Sequence, residues 1–147
     1  MEPIVVEFEV ACSPDHTFEM WTERAAMWWP RSHSMSQDAA MEVSFEPHVG
    51  GRVFERATDG SEFEWGEVTV WEPPERIGYL WHLFFDRSQA TDIQVTFSPT
   101  GTGTTVQLRQ TGFERLPSDV GLTRRNRTEG AWAEVARHYR EVLDATE

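Results

Sequence analysis

GGRVFERATDGSEFEWGEVTVWEPPERIGYLW, residues 50–81, reads as three consecutive strands separated by two turns. Gly50-Gly51 opens the first, Asp59-Gly60 carries the hairpin signal that closes it, and Pro73-Pro74-Glu75-Arg76 bends the second into the third. Within residues 51–57 the parity stays open: Val53 and Glu55 share one face, and Arg52, Phe54 and Arg56 the other. Residues 62–71 form a strand long enough for Gly66 to mark a bulge or a close approach. The stretch also holds Trp65, Trp71 and Trp81, three of the chain's seven tryptophans. A sheet rich in broad rings, with polar groups among them, suits the wall of a cavity for an apolar molecule.

Outward from this stretch, the flanking segments repeat the strand pattern. Met41, Val43 and Phe45 alternate with Glu42, Ser44 and Glu46. Ile93, Val95 and Phe97 alternate with Gln94 and Thr96, and Val106, Leu108 and Gln110 with Gln107 and Arg109, across a Pro99–Gly103 turn. At the N-terminus, residues 4–11 make a half-buried strand. Ser13-Pro14 then supplies an N-cap and a first-turn proline, so residues 14–29 predict one helix or two short ones, ended by Pro30. Trp132, Val135, Ala136, Tyr139, Val142 and Leu143 stand at helical spacing. That helix begins as early as Ser118, with Gly130 as a weak point inside it.

The expectation is an α+β chain, residues 1–147 as one domain. A curved antiparallel sheet of six to seven strands wraps a long C-terminal helix, with one or two short helices after the first strand. A bent sheet and a straight rod do not fit flush, and the gap between them is the expected binding site.

Composition excludes several classes. Thirteen basic against twenty-five acidic residues give a net charge of −12, which argues against nucleic acid or an anionic membrane as partner. All thirteen cations are arginine, so lysine Schiff-base chemistry is excluded. The lone Cys12 allows no internal disulfide. No signal peptide or membrane span is evident, and the expected location is the cytoplasm. The five histidines are scattered without metal-ligand spacing, so neither metal nor cofactor is expected; His33 and His48 meeting Glu46 or Glu55 is the one arrangement only the fold decides. No nucleophile elbow or phosphate loop is present, and no catalytic residue is assigned.

The order of elements, with Trp28-Trp29-Pro30, Gly50-Gly51-Arg52, Gly66-Glu67-Val68, Pro73-Pro74-Glu75-Arg76-Ile77, Trp81, Gly103-Thr104-Thr105-Val106 and Gly112-Phe113, resembles the START-like superfamily. More narrowly it resembles proteins similar to the C-terminal domain of the heat-shock-protein-90 ATPase activator. The resemblance implies the helix-grip fold. It departs at Ala131, which separates Gly130 from Trp132, and at Gln110, where many relatives carry histidine. The separate N-terminal domain of the eukaryotic activator has no counterpart here, which tells against chaperone activation.

The expected function is binding of a hydrophobic or aromatic small molecule. Trp29, Trp65, Trp81, Phe97 and Trp132 would supply contact area, Glu55 and Gln110 would orient the ligand, and His33 would cap the entrance. An enzyme of cyclase or hydrolase type, moving a proton with a buried Glu55 or His82, is the second reading. A protein-interaction module, or a homodimer, is the third, and needs an exposed apolar patch. Arg124, Arg125 and Arg127 form a small basic cluster; phosphate or carboxylate contact is one reading, and a solvated face is the one adopted.

Overall fold

The computed structural model describes residues 1–146. The elements run β1 (Ile4–Val10), α1 (Pro14–Thr22), short 3-10 turns at Ala25–Met27 and Arg31–His33, β2 (Glu42–Phe45), β3 (Arg52–Arg56), β4 (Glu62–Glu72), β5 (Arg76–Trp81), β6 (Thr91–Thr100), β7 (Gly103–Thr111) and α2 (Ser118–Thr146). All strand pairs are antiparallel, in the order β1-β7-β6-β5-β4-β3-β2, so the N-terminal strand lies beside the last one. This is the α+β helix-grip architecture expected from the sequence.

Local chemistry explains the boundaries. Ser13 caps α1 by accepting from the His16 N–H at 3.2 Å, with Pro14 in the first turn, where a missing N–H costs nothing. α1 stops at Thr22, and the two tryptophans that follow it sit on a short turn instead of a second helix. β6 and β7 extend past the clear alternation, because Pro99 and Thr100 still pair with Thr104 and Gly103; the turn shrinks to residues 101–102. α2 runs unbroken through Gly130, which faces open space.

Gly66 proves to be both things its position suggested. A Cβ there would lie 1.8 Å from the Leu80 carbonyl oxygen. One residue earlier the pairing slips, since Val53 meets Gly66 and Phe54 meets Glu64, leaving Trp65 as the extra residue. Such a bulge twists the strand locally. On the partner strand, Val53, Phe54 and Glu55 are all buried in succession. Val53 and Glu55 are on the covered face, while Phe54 packs outside under Arg52, whose guanidinium sits 4.1 Å from its ring centroid.

The space between α2 and the sheet is filled at one end only. Near α1, Trp21, Trp28 and Tyr139 form a close cluster with centroids 4.8–4.9 Å apart. Phe18 and Phe97 close it from below at 5.4 Å from each other. Towards the first half of α2 the rings thin out, and a cavity opens. No helix among the described residues is long and apolar enough to cross a membrane.

Candidate functional site

The cavity has a volume of about 680 Å³, within the usual size of small-molecule sites. Trp81 and Gln110 line its floor on β5 and β7, and Trp29 and His33 its side. Its roof is the face of α2 bearing Arg124, Thr128, Trp132 and Val135, spaced so that one helical face presents them all. Leu83, Phe84 and Phe85, just beyond β5, form the lip, facing Asp119 and Val120 on the first turn of α2. The lip is apolar yet wet: Phe84 is 54% exposed and Phe85 40%. Phe84 also holds φ at 72°, a left-handed backbone that costs an aromatic residue energy.

Three tryptophans give the cavity its shape. Trp29 lies edge-on to Trp81 at 5.6 Å and to Trp132 at 5.9 Å. Edge-to-face packing of this kind holds rings at fixed angles. Trp132 is further fixed by its indole N–H, which donates to Gln110 Oε1 at 2.7 Å, while Gln110 Nε2 donates to Thr91 Oγ1 at 2.9 Å. Gln110 thereby ties roof to floor. On the side wall, the Trp29 indole donates to the His33 carbonyl at 3.0 Å, and His33 Nε2 meets Glu134 Oε2 at 3.0 Å. That contact holds the Glu134 carboxyl below its ordinary range.

Of the residues expected to line a site, the structure brings Trp29, His33, Trp81, Gln110 and Trp132 to one cavity. It does not bring Glu55, Trp65 or Phe97 to its wall. Phe97 belongs to the filled end, against Phe18 and Trp21. Glu55 does turn inward, but its carboxylate is consumed by four donors. It accepts from the Met35 N–H at 2.6 Å, the Ser36 N–H and hydroxyl at 3.1 and 2.7 Å, and the Trp65 indole at 2.9 Å. Glu55 therefore staples the 34–37 loop to the sheet and fixes Trp65, which packs behind Trp29 at 5.0 Å. It positions the wall without reaching the space inside.

His82 is buried but also off the cavity wall. Its Nδ1 donates to the Phe85 carbonyl at 3.3 Å, and its Nε2 lies 3.5 Å from Glu64, too poorly aligned for a hydrogen bond. The expected acid or base, Glu55 or His82, is thus not in the cavity. His33 and His48 do not meet either, since His33 is engaged by Glu134 and His48 contacts its own neighbour's carbonyl. Among the described residues, no group of three histidine, cysteine or acidic side chains is placed to hold a metal.

The basic cluster divides three ways, which corrects its reading as a solvated face. Arg125 reaches back to the carbonyls of Glu2 and Pro3 and pairs with Glu129 at 3.2 Å. Arg127 stays exposed at the mouth. Arg124 is buried, 6% exposed, in the cavity wall itself. Its neighbours hide it because Phe85 covers its guanidinium at 3.8 Å. The sequence does contain a signal for it: Arg124, Thr128 and Trp132 repeat every four residues along one face.

A curled antiparallel sheet gripping a long C-terminal helix over a tryptophan-lined cavity defines a START-like helix-grip protein. The chain belongs to the Activator of Hsp90 ATPase homolog 1-like family, whose model matches residues 11–144. No curated protein matches it in sequence. Among solved structures, a Mesorhizobium loti protein is 23% identical with a TM-score of 0.74, covering 99% of both chains. The Aha1 dimer of Colwellia psychrerythraea is 15% identical with a TM-score of 0.69, covering 97% of this chain and 96% of the other. The anthrahydroquino-γ-pyrone synthase Txn09 is 37% identical with a TM-score of 0.56, covering 76% of this chain and 77% of its own.

Proposed function

We propose that the protein binds a planar, largely apolar small molecule in the cavity between α2 and the sheet. The observation that carries this is the mutual arrangement of Trp29, Trp81 and Trp132, locked by edge-on packing and by Gln110 around a cavity of about 680 Å³. Rigid indoles that already face open space lose little freedom on binding, which is how a preformed pocket gains affinity. A flat ring system stacks on them and meets few polar groups, consistent with the apolar lip at Phe84 and Phe85.

The test is native mass spectrometry of the purified protein, followed by quenching of tryptophan fluorescence with a flat three-ring probe, 9,10-anthraquinone. Saturable quenching that Trp81→Ala weakens supports the reading; linear, unsaturable quenching sinks it. The same native spectrum tests the homodimer, which a mass of one chain alone would exclude.

A second reading, turnover of such a molecule, is favoured by one observation: the 37% identity to a synthase of an aromatic pyrone. Under it His33 would move the proton, since its imidazole borders the cavity with Glu134 oriented against it at 3.0 Å. Product formed by the wild type and not by His33→Gln, at equal ligand affinity, would establish it.

A further inference from the structure

Among the described residues, Arg124 is a buried cation with no anion paired to it. Among the described residues most arginines meet a carboxylate, including Arg52, Arg56, Arg76, Arg87 and Arg115. Arg124 does not, although acidic residues outnumber basic ones twenty-five to thirteen. Its two hydrogen bonds go to the carbonyls of Gln89 and Trp81, leaving three of a guanidinium's five N–H groups uncommitted.

Burying a charge without a counter-charge is costly. The cost shows in its titration, since desolvation alone pulls the Arg124 pKa down to about 10. A latch to two carbonyls does not require a full charge, because a neutral amide also donates to carbonyls without the cost of burying a cation. The charged fork is worth keeping if something in the cavity answers it. Other charges near the site do not: Asp119 is exposed at the mouth and makes no ion pair with Arg124, Arg127 adds a second cation, and His33 is engaged with Glu134.

We infer that the molecule held in the cavity carries an anionic oxygen, a carboxylate or an ionised phenol, that docks on the Arg124 guanidinium. This rests on the reading of the cavity as a site for a planar apolar molecule and adds its charge and its orientation. The two carbonyls hold the fork still and Phe85 shields one face, so the free N–H groups meet an oxygen with little reorganisation. Such charge-assisted, water-poor bonds are the strong ones. The flat ring system would then lie on Trp29, Trp81 and Trp132, with its anionic end at the lip.

The experiment compares matched probes by tryptophan quenching: anthraquinone-2-carboxylate against its carboxamide, and 2-hydroxyanthraquinone on either side of its own ionisation. At least one anion should bind the wild type roughly ten- to a hundredfold more tightly than its neutral partner, and which one does so separates carboxylate from phenolate. Arg124→Gln should erase that preference while leaving neutral probes within about threefold. If that variant does not fold, Arg124→Lys keeps the charge without the planar fork and should cut the preference several-fold. Neutral probes binding as well as the anions overturns the inference and leaves the cavity reading intact. A preference unchanged in the Arg124 variants overturns it too. Binding of no probe overturns both.

Discussion

Trp132 Nε1 and Gln110 Oε1 lie 2.7 Å apart, joining the C-terminal helix to β7 through one buried hydrogen bond. Gln110→Leu would strand the Trp132 indole N–H in an apolar setting and leave the Thr91 hydroxyl with only its bond to the Trp81 carbonyl. The expected loss is about 1–3 kcal/mol of stability, read by urea unfolding. Trp132→Phe removes the donor, so in a double-mutant cycle it should cost less in the Gln110→Leu background than in wild type. Strict additivity would show that the bond does not couple roof to floor.

Glu55 should behave as a structural residue. Glu55→Gln places an amide donor against groups that are themselves donors, at a cost of about 1–3 kcal/mol. Because Trp65 stands between Glu55 and the cavity lining, the folded variant should still quench with the anthraquinone probe. An unchanged urea midpoint combined with lost binding would return Glu55 to the site.

Acid should unfold the protein through its surface carboxylates. The Arg52 N–H and guanidinium hold the Glu46 carboxyl below its ordinary value, Arg56 and then Arg52 do the same for Glu62, and the Thr58 N–H and hydroxyl hold Asp38 below its ordinary value. With folded values depressed, the unfolded chain binds protons first, so stability is complete above those ordinary values and is lost as pH falls through and below them. These groups are exposed, so each contributes little and added salt shrinks the effect. Glu62→Gln should flatten the acid limb of a urea-midpoint profile; an identical limb would assign acid unfolding elsewhere.

Phe84 should be replaceable in the fold but not at the lip. Asparagine tolerates the left-handed backbone that Phe84 adopts at φ 72°. Phe84→Asn should therefore melt at or above the wild-type temperature and bind the anthraquinone probe more weakly. A clear loss of stability would mean that the ring packs for the fold.

Much of this was legible before the fold was known, and the exceptions have physical causes. Alternation and turn residues placed the strands, and period 3.6 placed α2, because burial of one face imposes those periods. The direction of Glu55 was undecidable because β3 carries a carboxylate on its covered face and an apolar ring, Phe54, on its outer face, the reverse of what hydrophobic alternation reads. Arg124 looked like a solvated residue because arginine usually is one; only its four-residue spacing from Thr128 and Trp132 placed it under the roof. Phe84 and Phe85 were missed because a lip depends on a left-handed turn at a residue that does not ordinarily make one.

The cluster of Trp21, Trp28 and Tyr139 at the far end of the helix would act as a depth stop for a molecule bound as proposed. On the proposed reading, a molecule entering past Phe84 would meet a wall of large rings behind Trp29, so length as well as flatness would limit what fits. Replacing Trp28 with a smaller side chain would move that wall back and admit longer guests without altering the mouth.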